Sequence, residues 1–141
     1  MKGFYRLTLF AIATVMFFAA CGNKNKFEES PSEVALKLYN GLTSGDVETV
    51  TENIFFEDSL DYNLFRDYFK MAVTSEDYKK RTEGYKPEYE VKSEDIDGDV
   101  AIVKLEGIGP LGNMLKIDVR LVAVGNRWKV DGNHGVFHSD F

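Results

Sequence analysis

Cysteine is almost absent from this 141-residue chain, which has a single one, Cys21. One cysteine excludes an internal disulfide framework and a thiolate metal cluster. Histidine and tryptophan are also scarce: the chain has two histidines and one tryptophan. Basic residues are also outnumbered, with 17 Lys and Arg against 23 Asp and Glu. Because phosphate binding needs a basic surface, this balance argues against a nucleic-acid partner.

Charge is nearly missing from the first twenty residues, which contain only Lys2 and Arg6. Residues 7–20 are an uncharged apolar run, shorter than the roughly 20 residues that a membrane-spanning helix needs. A basic start followed by such a run is typical of a signal peptide, which we place at residues 1–20. Removing it leaves 15 basic against 23 acidic residues, a formal charge of −8. The remaining length favours one domain with its own core.

The sequence Phe18-Ala19-Ala20-Cys21 resembles the bacterial lipobox, in which the cysteine is lipidated and becomes the first mature residue. Phe18 departs from that pattern, which usually has Leu there. The resemblance implies that acyl chains on Cys21 anchor the protein in a membrane. The alternative is an ordinary signal peptide with an incidental cysteine. Residues 21–29 are then the lipidated cysteine and a polar, flexible tether.

The expected location is the bacterial cell envelope. Gly22 is not the Asp that retains enterobacterial lipoproteins in the inner membrane, so the outer membrane is favoured over the inner one.

A helical half is predicted to begin at Ser30. Ser30-Pro31-Ser32-Glu33 has Ser at the N-cap, Pro at the first helical position and Glu where a capping box needs it. Apolar residues then recur at helical spacing: Val34, Ala35, Leu38, Tyr39 and Leu42. A second short helix capped by Asp46 is predicted to bury Val47, Val50, Ile54 and Phe55. A third covers residues 59–73, and its predicted apolar side is Leu60, Leu64, Phe65, Tyr68, Phe69 and Ala72.

The second half alternates between apolar and polar residues, which predicts four strands. The first strand starts at Tyr85, and Asp97-Gly98 is a tight-turn signal after it. The second strand follows at residues 100–106. The predicted core side of the second and third strands is Ala101, Val103, Leu105, Leu115, Ile117, Val119 and Leu121. The last strand is Arg127-Trp128-Lys129-Val130. The predicted class is α+β, with N-terminal helices packed on a curved four-stranded antiparallel sheet.

The order of these elements resembles the cystatin-like, nuclear transport factor 2-like cone fold. The resemblance is carried by the opening helix at residues 31–42, by Gly45-Asp46-Val47-Glu48 and by Arg127-Trp128-Lys129-Val130. With the leader, the chain resembles small Bacteroidetes-like lipoproteins that carry a domain of unknown function of this type. We place the domain at residues 30–133 and a C-terminal tail at residues 134–141.

The fold resemblance implies a conical pocket between helices and sheet. Some relatives use a buried Asp and His there as an acid–base pair. No predicted inward strand position carries Asp, Glu or His, so no catalytic residue and no cofactor are predicted. Aromatic side chains of the helices and strands are the candidates for lining a ligand pocket, and ordinary core packing is the alternative. The ligand-binding candidates are Tyr39, Phe65, Tyr68, Tyr89 and Trp128.

His134 and His138 have a spacing that can bind zinc on a helix, and Asp131 or Asp140 is close enough in sequence to add a carboxylate. The intervening Gly-Val-Phe is poor helix sequence, so a solvated tail is predicted and no metal site.

Three hypotheses follow from the sequence. The first is a non-enzymatic, membrane-anchored domain that binds a small apolar ligand or an envelope protein. The second is a cone-fold enzyme of isomerase or hydrolase type. The third is a homodimer whose sheets pack face to face.

Overall fold

Helices precede strands in the computed structural model, which describes residues 26–109 and 111–135. The α+β class is therefore confirmed. The helices are α1 (Pro31–Ser44), α2 (Val47–Glu52), α3 (Ser59–Thr74) and α4 (Glu76–Thr82). The strands are β1 (Ile54–Phe55), β2 (Glu90–Asp97), β3 (Val100–Ile108), β4 (Met114–Val124) and β5 (Arg127–Asp131). A 3₁₀ turn, Gly132–His134, follows β5. The predictions for residues 1–20, Cys21, His138 and Asp140 lie outside the described residues.

Helix α1 begins where the capping box predicts. The Ser30 hydroxyl accepts a hydrogen bond from the Glu33 backbone N–H (3.2 Å), and the Glu33 carboxylate accepts one from the Ser30 N–H (2.7 Å). The helix ends at Gly45, whose φ of 75° is a left-handed conformation that glycine adopts without strain. One face of α1 is buried, through Pro31, Val34, Ala35, Leu38, Tyr39 and Gly41.

The sheet has five strands in the order β1-β5-β4-β3-β2. Strands β2 to β5 form the antiparallel meander that alternation predicts, with Leu105 opposite Ile117 and Leu121 opposite Val130. The inner face of the sheet packs against α1. Its buried residues are Ala101, Val103, Leu105, Ile117, Val119, Leu121, Trp128 and Val130. The core therefore lies between α1 and the three central strands.

The prediction of a four-stranded, wholly antiparallel sheet is wrong by one strand. Ile54 and Phe55, which were assigned to the second helix, form β1 and pair in parallel with Val130 and Asp131. Helix α2 ends earlier because Asn53 caps it, donating from its side-chain amide to the Thr49 carbonyl (2.7 Å). The Asn53 carbonyl then accepts from the Val130 N–H (2.8 Å), which starts the pairing. A two-residue strand is too short to show a periodicity.

The first strand of the meander starts later than predicted, at Glu90 rather than at Tyr85. Pro87 has no N–H to donate to a ladder, and the ring of Tyr89 lies across Gly107 of β3. A Cβ atom at Gly107 would come within 2.7 Å of that ring. Residues 85–89 therefore run alongside the end of β3 without joining its ladder, and the Tyr85 hydroxyl donates to the Ile108 carbonyl (2.5 Å).

Candidate functional site

The two best-formed clefts of the domain are small. The larger of the two best-formed clefts in residues 26–109 and 111–135 has a volume of about 30 Å³ and lies beside Tyr39, Arg120 and His134. The other, beside Trp128, has no room for a water molecule. Sites for small organic ligands usually occupy about 300–1,000 Å³. The larger of these two clefts thus has space for one or two waters and not for such a ligand.

The five predicted ligand-binding aromatics do not form one cluster. Tyr39 is buried and meets the ring of Tyr89 edge-on, at a centroid distance of 5.9 Å. Trp128 is buried under Phe27 on the other side of the core, at 4.8 Å. Phe65 belongs to α3. Tyr68 lies on the same helix and is exposed. The structure brings Tyr39 and Tyr89 together, and the assignment of all five to ligand binding stays a prediction.

The Tyr39 hydroxyl is held in its neutral form. Burial, and secondly the charge of the neighbouring Tyr89 hydroxyl, raise the pKa of Tyr39 well above its ordinary value of 10.0. A buried phenol resists ionisation because the phenolate would lose its hydration.

A buried carboxylate lies at the end of β5, where the sequence predicts only a carboxylate that could join a zinc site. Asp131 is only 6% exposed. Its Oδ2 accepts a hydrogen bond from Arg120 Nε (3.1 Å) and lies 2.7 Å from His134 Nδ1. Its Oδ1 accepts from the Asn133 N–H (3.1 Å). One sequence signal could have indicated this role for Asp131. Asp at the end of a strand, followed by Gly-Asn, commonly caps a turn through its side chain.

Asp131 organises its own surroundings. Two donors and the ring of His134 converge on one carboxylate, which fixes Arg120 and closes the 3₁₀ turn Gly132–His134. Within the described part of the chain, no three His, Cys, Asp or Glu side chains are placed to hold a metal ion. The arrangement satisfies a buried charge with charged and backbone donors, as buried carboxylates require.

The most distinctive surface of the domain is on α3. Leu60, Leu64, Tyr68 and Met71 are 62, 60, 62 and 65% exposed. With 3.6 residues per turn, these four positions fall within an arc of about 80° on one side of the helix. We call these four residues the open face of α3. Large apolar side chains arranged in a continuous stripe on a surface mark an interaction site, whereas scattered ones do not.

The opposite side of α3 attaches it to the domain through a narrow aromatic seam. Phe69 is the one buried residue of this helix. Its ring stacks on that of Phe65 (6.1 Å between centroids), and Phe65 also contacts Phe56 (5.4 Å), just after β1. The prediction that Leu60, Leu64 and Tyr68 join this buried side is wrong. The apolar residues of α3 are split between two sides, and only the phenylalanine side faces the domain.

The face of the sheet away from α1 mixes charged and apolar residues, since half-buried Ile102 and Val122 lie on it beside exposed charges. Residues that point away from α1 include Lys104 on β3, Lys116 and Asp118 on β4, and Arg127 on β5, and all four are exposed. A smaller apolar cluster, Ile108, Leu111 and Met114, lies at the turn between β3 and β4.

Within the described residues, no helix is both long and apolar enough to span a bilayer.

No family model matches the chain, and no curated protein matches it either. Among solved structures, it is similar to a Campylobacter jejuni protein named as a candidate NTF2-like transpeptidase, with 20% identity and a TM-score of 0.58. That likeness covers 73% of this chain and 98% of the other. A second similar structure is an NTF2-like protein of unknown function from Silicibacter pomeroyi, with 17% identity, a TM-score of 0.43 and coverage of 72% and 93%.

The Campylobacter likeness shows that this chain has the nuclear transport factor 2-like (NTF2-like) fold. The fold predicted from the opening helix, the Gly-Asp turn and the Trp-bearing strand is therefore confirmed. At 20% identity the likeness concerns the fold alone.

Proposed function

We propose that this protein is a lipid-anchored bacterial envelope protein whose NTF2-like domain is a non-enzymatic binding domain for an envelope protein. The open face of α3 is the binding surface. The single observation that carries the proposal is this stripe of four apolar side chains, each about two-thirds exposed, on a helix that buries one residue.

A protein partner is favoured over a small apolar ligand. The interior cleft of about 30 Å³ is far smaller than a ligand site, while an apolar helix stripe is a common protein-recognition surface. Anchors spaced as Leu60, Leu64, Tyr68 and Met71 fit a partner helix or groove.

The isomerase or hydrolase alternative has one observation in its favour, the contact between Asp131 and His134. A carboxylate that orients an imidazole is a usual part of general acid–base catalysis. The adjoining cleft is too small for a substrate, and Asp131 also binds Arg120, so we favour the binding domain.

The anchor is proposed from the leader and the lipobox-like sequence before Cys21. Replacing Cys21 by Ser removes the only thiol that can be acylated, so we expect Cys21→Ser to appear in the soluble fraction after cell fractionation. Mass spectrometry of the wild-type amino terminus checks the acyl chains directly. Full membrane retention of Cys21→Ser would contradict the anchor.

The binding face is tested by site-specific photo-crosslinking in cells. A benzoylphenylalanine placed at Leu64 samples the open face, and one placed at Ile96, a half-exposed apolar residue on β2, is the matched control. We expect a discrete crosslinked protein from position 64 that Met71→Glu abolishes. Equal crosslinking from both positions, or a product from position 64 that Met71→Glu leaves unchanged, would argue against the proposal.

A further inference from the structure

We infer that a short strap of chain holds the β4–β5 end of the domain toward the membrane in which Cys21 is anchored. The polar turns at that end face the lipid headgroups, and the turn between β3 and β4, with its apolar cluster, points away from them. This inference rests on the lipid anchor of the proposed function, and it does not depend on which protein binds the open face of α3.

The strap is the segment of residues 27–29, which lies on the domain just before α1. The ring of Phe27 packs on that of Trp128 in β5, at a centroid distance of 4.8 Å. The Glu28 N–H donates to the Asn126 carbonyl (3.3 Å), and the Glu28 carboxylate accepts from the Asn126 side-chain amide (3.4 Å). The strap therefore fixes the incoming chain to the β4–β5 turn.

Little chain separates the strap from the proposed anchor. Residues 22–26 are the only ones between Cys21 and Phe27. An extended chain covers at most about 3.6 Å per residue, so the six steps from Cys21 to Phe27 reach at most about 22 Å. That limit applies whatever conformation the intervening residues adopt. Phe27 therefore stays within about 22 Å of the acylated residue.

The sheet is longer than this reach. The β2–β3 and β4–β5 turns share one end of it, where the Ala123 N–H donates to the Asp99 carbonyl (2.9 Å). The β3–β4 turn is at the other end, because Met114 begins β4 there. At about 3.3 Å per residue, the 11 residues of β4 separate the two ends by about 33 Å. An inverted domain, with the β3–β4 turn on the lipid, would hold Phe27 farther from the anchor than the chain allows.

Two broad surfaces of the domain lack the charge that would hold them flat on lipid. A helix or surface that lies on a bilayer usually has a surplus of Lys and Arg for the lipid phosphates. On the outer face of the sheet, Lys104 is opposite Asp118, and Lys116 is opposite Glu106. Helix α3 has two acidic and two basic residues. The strap, and not adsorption of either surface, therefore sets the orientation.

The end that faces the lipid has polar turns. Asp97 and Asp99 are exposed in the β2–β3 turn, and Asn126 is exposed in the β4–β5 turn. Because a carboxylate is costly to bury in hydrocarbon, these turns stay at the headgroups and the acyl chains alone enter the bilayer. Leu111, which is 94% exposed at the opposite end, is directed away from the lipid.

Energy transfer from a dye on the domain to labelled lipid headgroups measures the orientation. The acylated full-length chain is placed in phosphatidylcholine vesicles that contain a headgroup-labelled acceptor lipid. Acylation leaves Cys21 without a free thiol, so one introduced cysteine takes an impermeant maleimide donor. Asp99→Cys marks the end near the strap and Leu111→Cys the opposite end, and both positions are exposed. We expect several-fold more transfer from position 99 than from position 111.

A longer tether is the matched control. A flexible Gly-Ser insertion of about twelve residues after Lys24 leaves the domain unaltered and lets it turn over. The insertion should bring the transfer from the two ends together, and an unchanged difference would overturn this role of the strap. Lys104→Cys, midway along β3 on the outer face of the sheet, should give a value between those of the two ends in the chain without the insertion.

Failure of the orientation and failure of the anchor give different results. Equal transfer from positions 99 and 111 would show that the domain lies on its side, and the largest transfer from position 104 or 111 would show another face on the lipid. Either result overturns the inference while the anchor stands, because the chain is still held on the vesicle. If no position transfers and Cys21 itself takes the dye, the chain is not acylated, and the anchor and the orientation both fall.

Discussion

Helices α1 and α3 are similar in length and in apolar content, yet the fold uses them in opposite ways. Helix α1 buries six residues against the sheet, and α3 buries Phe69 alone. Both have polar N-caps, Ser30 and Asp58. The difference lies in what each helix faces. An apolar stripe on a helix indicates that something must cover it. Among residues 26–109 and 111–135, the sheet covers the stripe of α1, and nothing covers the open face of α3.

The largest expected effect contrasts a leucine from each helix. Leu38→Ala removes a fully buried side chain of α1 and should lower the free energy of unfolding by about 2–5 kcal/mol. Leu64→Ala is the matched control on α3 and should change it by less than about 0.5 kcal/mol in dilute solution. Urea denaturation of both variants measures the difference. Equal losses would mean that α3 is packed like α1.

A smaller effect is expected from Phe69, the single buried residue of α3. Phe69→Ala should release α3 from its aromatic seam while the sheet stays folded, because core contacts of the sheet are made with α1. We therefore expect faster amide hydrogen exchange in α3 and unchanged exchange in β3 and β4. Loss of protection in all of these elements together would show that α3 and the sheet unfold as one unit.

A still smaller difference in stability is expected from the N-caps of the two helices. Ser30→Ala breaks the capping box of α1 and should cost about 1 kcal/mol of global stability. Asp58→Ala removes the cap that accepts from the Leu60 N–H (2.7 Å). Because α3 contributes little to the core, its cap should affect local exchange more than the global unfolding midpoint. An equal shift of that midpoint in both variants would be evidence against this difference.

The smallest effect concerns a tyrosine from each helix at alkaline pH. The pKa of Tyr39 is raised in the folded state, so its contribution to stability is present below the unfolded pKa of about 10 and is lost as pH rises above it. Tyr39→Phe should therefore reduce the fall in melting temperature between pH 9 and pH 11. Tyr68→Phe, on the exposed side of α3, should leave that fall as in wild type. Parallel curves for all three proteins would contradict the buried role of Tyr39.

Local signals allowed much of the fold to be predicted. The capping box at Ser30 and the strict alternation of β3 and β4 each involve neighbours in sequence, so their chemistry is visible without a structure. The α+β class and the NTF2-like arrangement were predicted from the order of the helices and strands along the chain.

The rest depended on contacts between distant residues. β1 has two residues and exists because Asn53 and Val130 meet. Asp131 is buried because Arg120 and His134 meet it. In α3, both the phenylalanine side and the leucine side are apolar, so periodicity alone did not show which one faces the domain.

Hydrogen exchange of α3 in the native membrane fraction tests most directly whether a partner covers its open face. The fraction that contains wild type is compared with the fraction that contains Leu64→Glu. We expect the amides of α3 to exchange more slowly in wild type than in Leu64→Glu, and the amides of β3 and β4 to exchange equally in both. Equal exchange of α3 in the two proteins would contradict the proposal that a partner covers this face.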